Sequence, residues 1–155
     1  MAISEILPLN DTSLDLLELR HRRRDSAVHH LVQAAVERHA ARHAEQLEAV
    51  LVRRERLGTT ALGRGFAVTG AWSMCVRHPL VLVGLSERGI DWEALDERPI
   101  QIAALVLTPG EGPEEMHLRR MTSVVGALRL QRQRQKLLDH PEVATLALLL
   151  RDVPR

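Results

Sequence analysis

The run from Ile100 to Thr108 narrows the folds open to this chain more than any other segment. Ile102, Ala104 and Val106 alternate with Ala103, Leu105 and Leu107, so both faces of an extended segment here are apolar. Successive side chains of a strand point to opposite faces, and a strand apolar on both is buried on both. Covering both faces takes helices above and below the sheet, which makes the expected class α/β, a layered sheet flanked by helices on each side.

The remaining elements follow from periodicity. Leu14, Leu16, Leu17 and Leu19 suggest a short strand. Val28, Leu31, Val32, Ala35 and Val36 recur at helical spacing, with Asp25 or Ser26 placed to cap the start. A second helix over about 44–56 gathers Leu47, Val50 and Leu51, and Gly58 suits a left-handed residue closing it. Phe66 to Val68 and Leu80 to Leu85 read as strands. Pro113, Glu114 and Glu115 open a helix expected to run unbroken to about Leu138, and a last helix runs from Pro141 or Glu142 to about Arg151. Nothing in 155 residues marks a linker or a repeat, so one domain spanning 1–155 is expected.

Charge and composition exclude several functions. The net charge is +1, so no global field draws the chain to nucleic acid, and aromatics at 2% leave few platforms for stacking bases. The basic stretch Arg129 to Lys136 reads as an exposed helix end. Cys75 is the single cysteine, and the His29, His30, His39 and His43 helix offers no defined third ligand, so neither a metal nor a cofactor is expected. Gly63-Arg64-Gly65 lacks the Lys-Ser/Thr of a nucleotide loop. The apolar runs are too short to insert in a membrane and the N-terminus lacks an export pattern, so a cytoplasmic location is expected.

Two residues break the apolar pattern. Arg54 lies seven positions after Leu47, which aims a guanidinium along the stripe at the helix end; it reads either as an anion ligand or as a cap on terminal carbonyls. His117 shares a stripe with Met121, Val124, Val125 and Leu128 near a helix start, where unpaired N–H groups favour an anion and disfavour a charged imidazole. It reads either as a core-edge histidine or as a donor to phosphate or carboxylate.

The segment Arg54-Glu55, Gly58-Thr59-Thr60, Gly63-Arg64-Gly65 and Val68-Thr69-Gly70 resembles the signature of the mannitol/fructose-type and nitrogen-regulatory enzyme IIA domains of the bacterial sugar phosphotransferase system. In that family the pattern ends on Ile-Pro-His, and the histidine carries the phosphoryl group. Thr108-Pro109 followed by His117-Leu118 resembles the segment supplying the family's second, assisting histidine. Gly89-Ile90-Asp91-Trp92-Glu93-Ala94-Leu95-Asp96 with Pro99-Ile100 is similar to another family segment, and Ser4 to Pro8 resembles its start. Similarity weakens after Leu130.

The resemblance implies a mixed sheet with helices on both faces and a shallow surface site. Arg54, Thr60 and His117 match the supporting positions, while Gly70 stands where the acceptor histidine belongs and Thr69 replaces a proline. The hydroxyls of Thr69 and Ser73 would give an ester too stable to pass phosphate onward. Trp72 and Met74 are expected to fill the vacated space, the alternative being a hydrophobic contact for a partner. The function expected is therefore a non-phosphorylatable regulatory domain that uses Gly70, Arg54, Thr60, Thr69, Trp72 and His117 to meet a protein partner. That partner is an HPr-like phosphocarrier or a regulated kinase, transporter or permease component; a homodimer stays open. The alternatives are phosphotransfer through His117, and a small-anion sensor built on Arg54 and His117.

Overall fold

The computed structural model describes residues 11–151. The expected opening segment Ser4 to Pro8 lies outside them. In chain order the elements are β1 (Ser13–Glu18), α1 (Arg24–Glu37), α2 (Ala44–Leu57), β2 (Phe66–Ser73), β3 (Leu80–Ile90), β4 (Ile100–Pro109), α3 (Glu114–Leu128), α4 (Gln131–Asp139) and α5 (Val143–Arg151). The strands form one sheet in the order β1-β3-β4-β2. β1 runs parallel to β3 and β2 parallel to β4, while β3 and β4 are antiparallel, so the sheet is mixed.

Strand alternation sorts the core into two layers. Leu80, Leu82, Leu105 and Leu107 pack with Leu31, Leu47 and Leu51 of α1 and α2. Val81, Val83, Ala104 and Val106 face the other way, onto Val124, Leu128, Leu137 and Leu146 of α3, α4 and α5. The doubly apolar run is thus an interior strand covered on both sides. Among the described residues no helix is long and apolar enough to cross a membrane.

Four local expectations need correction. The helix expected over 113–138 is two helices, because Leu130 is extended at φ −90°, ψ 134° and the chain turns there. α1 starts at Arg24 with Arg23 before it and no side-chain cap, so neither Asp25 nor Ser26 caps it. Gly58 has φ 156° and ψ 145°, an extended glycine conformation rather than the left-handed helical one. β2 runs on past Val68, where the expected strand stops, through Ser73.

Candidate functional site

The site lies where the C-terminal ends of the parallel strands β2 and β4 meet the start of α3. Gly70 pairs in register with Val106, and Trp72 with Thr108. Phe66 and Val68 face the α3 side, so Gly70, two positions further along, faces it too. A Cβ at Gly70 would stand 2.4 Å from the backbone oxygen of Val106, 2.9 Å from Met121 Sδ and 3.2 Å from His117 Cε1. The space a side chain would take is already filled by Met121 and His117 from α3. The expectation that Trp72 and Met74 fill it is corrected: they are 42% and 56% exposed.

His117 is half-buried and tied to β4. Its Nδ1 lies 2.7 Å from Thr108 Oγ1, and Thr108 Oγ1 in turn accepts from Arg120 at 3.3 Å. Arg120 is 3% exposed and is held further by Thr12 Oγ1 at 3.1 Å and by Asp11 at 3.2 Å. The contact with Thr108 serves either histidine tautomer: the hydroxyl donates to a bare Nδ1, or Nδ1–H donates to the hydroxyl oxygen. Burial and then the Arg120 charge hold the imidazole's pKa below its ordinary value, against a smaller opposing pull from Glu114. An NMR titration is expected to give His117 a midpoint below 6.5, and a midpoint above 6.5 would contradict this environment. Because the folded-state value is depressed, this group's contribution to stability is complete above 6.5 and declines as the pH falls through the lower folded value. Replacing His117 by Gln should remove that part of the acid dependence.

Around this pair lies an exposed apolar rim. Trp72 donates from Nε1 to the Gly112 carbonyl at 3.0 Å, which fastens β2 to the loop before α3. Gly110 permits the approach, since a Cβ there would meet Met74 N at 2.7 Å. Leu118, next to His117 on α3, is 56% exposed. The rim is therefore built from Trp72, Met74 and Leu118.

Three other expected site residues have surroundings of their own. Arg54 is exposed and donates to the Gly58 carbonyl at 2.9 Å, capping the end of α2. The inward residue of that stripe is Glu55, which is 8% exposed and continues Leu47 and Leu51. Thr60 is buried against it: its N–H donates to Glu55 Oε1 at 2.8 Å and its hydroxyl to Glu55 Oε2 at 2.7 Å. Trp92, fully buried, donates its indole N–H to Glu55 at 3.0 Å and to Thr60 at 3.1 Å. Thr69 is 2% exposed and lies between Ala67 and Ala71, which pack on the α1 and α2 side, so it faces away from Gly70. Its hydroxyl has no hydrogen-bond partner.

Arg120 went unread in the sequence although the signal was there. It sits three positions after His117 and four before Val124, on the buried stripe of α3.

Comparison with known proteins follows this geometry. Residues 9–152 match the family described as phosphoenolpyruvate-dependent sugar phosphotransferase system, EIIA 2. A fructose-specific EIIA component of Haloferax volcanii is 27% identical over 153 residues, covering 99% of each chain. A nitrogen regulatory protein of Bradyrhizobium diazoefficiens is 35% identical over 88 residues, 57% of each chain. Among solved structures, the nitrogen regulatory protein IIA-Ntr of Neisseria meningitidis superimposes with a TM-score of 0.74 at 23% identity, covering 97% of this chain and 99% of that one. The mannitol IIA of Escherichia coli gives 0.70 at 16% identity, covering 88% and 94%.

Proposed function

This chain belongs to the phosphoenolpyruvate-dependent sugar phosphotransferase system EIIA 2 family, and we propose that within it the protein is a regulatory domain of the nitrogen-regulatory type that binds protein partners and accepts no phosphoryl group. The observation carrying this reading is Gly70. Glycine offers no nucleophile, and the neighbouring space is occupied by His117 and Met121 with the Val106 carbonyl behind them. A phosphocarrier needs a group whose bond to phosphorus is labile enough to pass the phosphoryl group onward, and no such group projects from this position.

What remains is an anion-handling frame of His117, Thr108 and Arg120 beside the exposed Trp72, Met74 and Leu118. Exposed apolar side chains next to fixed polar donors suit a protein contact. The partner fits an HPr-like phosphocarrier or a regulated kinase, transporter or permease component, met in the cytoplasm. Arg54 and Thr60 act in this reading as structural supports, one capping α2 and the other holding Glu55.

The test is incubation with a phosphorylated HPr-type carrier bearing radioactive phosphate. The expected outcome is no label on this chain, and an acid-labile label would overturn the reading.

A second reading rests on the His117 geometry. With Nδ1–H donating to Thr108, Nε2 carries a free lone pair and could attack phosphorus, forming an N–P bond as the donor's N–P bond breaks. In that case label appears and His117→Ala abolishes it.

A further inference from the structure

Three arginines converge on one groove at the opposite end of β2 and β4 from Gly70. The groove has a volume of about 330 Å³ and is lined by Arg64, Arg98 and Arg134 together with the side-chain amides of Gln101, Gln131 and Gln135. The six residue steps of β2 from Phe66 to Trp72 separate it from the rim by about 20 Å.

Two of its cations rise from a clamped stretch of backbone and are not neutralised by an ion pair among the described residues. One oxygen of Asp96 accepts the backbone N–H of Arg64 at 2.8 Å and the other accepts the backbone N–H of Arg98 at 3.1 Å. This clamp holds Arg64 at φ 58°, a left-handed conformation costly for a non-glycine residue. The two amide bonds are the main reason the Asp96 carboxyl titrates below its ordinary range, with a smaller contribution from the Arg98 charge. Among the described residues no ion pair reaches the guanidinium of Arg64 or of Arg98.

Arg134 forms the inner wall. It is 7% exposed, lies 4.9 Å over the Phe66 ring, and donates to the carbonyls of Leu128 and Arg129 at 2.8 Å each. Those partners are dipoles without formal charge. Burial and then the charge of Arg64 pull its pKa down, as expected for like charges facing one groove. Asp139, the nearby carboxylate of α4, is engaged by Gln135 at 2.8 Å.

We propose that this groove binds a phosphate group, free or carried by a small metabolite. Guanidinium forks match phosphate oxygens in pairs, three cations suit a dianion, and the amides of Gln101 and Gln131 supply further donors. The volume is that of a small-molecule site, and Leu138 gives an apolar surface for the remainder of an organic ligand. The site is independent of whether Gly70 silences phosphotransfer.

Calorimetry on the full chain with inorganic phosphate and with glycerol 3-phosphate, at ionic strength held constant with chloride, tests this. Saturable binding is expected, with each of Arg64→Gln and Arg98→Gln weakening it roughly tenfold. Both residues are exposed, so the variants should unfold at the parent temperature when phosphate is absent. Tighter binding of glycerol 3-phosphate supports the proposal with a phosphorylated metabolite as the source, and tighter binding of inorganic phosphate supports it with the free ion. Absence of saturable binding, variants that bind as tightly as the parent, or response only to an oligonucleotide would overturn it.

Discussion

Replacing Glu55 by alanine is expected to cost about 3–4 kcal/mol of folding stability, against about 1 kcal/mol for Glu55→Gln. The carboxylate is 8% exposed and accepts from the Thr60 N–H, the Thr60 hydroxyl and the Trp92 indole N–H at 2.8, 2.7 and 3.0 Å. Alanine leaves the Thr60 amide buried without an acceptor, at a penalty of about 1–3 kcal/mol, and removes the acceptor of its hydroxyl as well. Trp92 keeps Thr60 Oγ1 at 3.1 Å, so the three losses do not add in full. Glutamine keeps one carbonyl oxygen for the Thr60 and Trp92 N–H groups, and its NH₂ can donate to the Thr60 oxygen, which explains the smaller figure. Denaturant unfolding followed by Trp92 fluorescence in a Trp72→Phe background reads both variants. A loss below about 1 kcal/mol for alanine would mean that the buried donors find other acceptors.

This carboxylate joins the end of α2 and the turn that follows it to the segment between β3 and β4, which lies 37 residues further along the chain. Its position also shows how the pattern of α2 was misread. Leu47, Val50 and Leu51 suggested a stripe leading to Arg54, but Val50 is 40% exposed and the buried line is Leu47, Leu51 and Glu55. A shift of one residue, about 100° around a helix, exchanges an inward cation for an inward anion. Charge alone could not decide between neighbours, because both are costly to bury without partners, and of the partners Thr60 is local while Trp92 comes from 37 residues away.

The sheet was legible because its strands carry apolar residues on both faces, a pattern that holds wherever the strand is interior. The break between α3 and α4 was not. Arg129 and Leu130 are residues that helices accept readily, and no glycine or proline marks the turn. The break is accompanied by a local side-chain contact: Arg134 folds back to satisfy the carbonyls of Leu128 and Arg129 that end α3. The same contact corrects the reading of Arg129 to Lys136 as an exposed basic face, since Arg134 is buried within it. At the candidate site, His117 was reached from its stripe. The residues that fasten it, Thr108 and Arg120, needed the register of β4 against α3.

Gly70→Ala is expected to destabilise the fold by about 1–2 kcal/mol, opposite in sign to what backbone propensity alone predicts. Removing a glycine from a strand usually gains about 0.4–1 kcal/mol by restricting the unfolded chain. Gly70 is not among the residues with positive φ, so no backbone strain opposes alanine there. The opposition is steric. The added carbon meets the Val106 oxygen at 2.4 Å and Met121 Sδ at 2.9 Å. Methionine can swing aside at little cost. The Val106 carbonyl cannot, because β4 is held between β2 and β3, and moving it disturbs a packed core at about 1–3 kcal/mol. Adding Met121→Ala to Gly70→Ala should therefore recover no more than the methionine contact, leaving the double variant less stable than Met121→Ala alone. Chemical unfolding of the four proteins closes this cycle, and a stabilising Gly70→Ala would show that the strand ends yield freely. Gly70→His is expected to lose more stability than Gly70→Ala and to stay unlabelled by a phosphorylated carrier, because its imidazole projects only if β2 moves off β4. In-line transfer tolerates little displacement of the acceptor. A side chain at position 70 thus needs a second change that lets the Val106 carbonyl and Met121 give way.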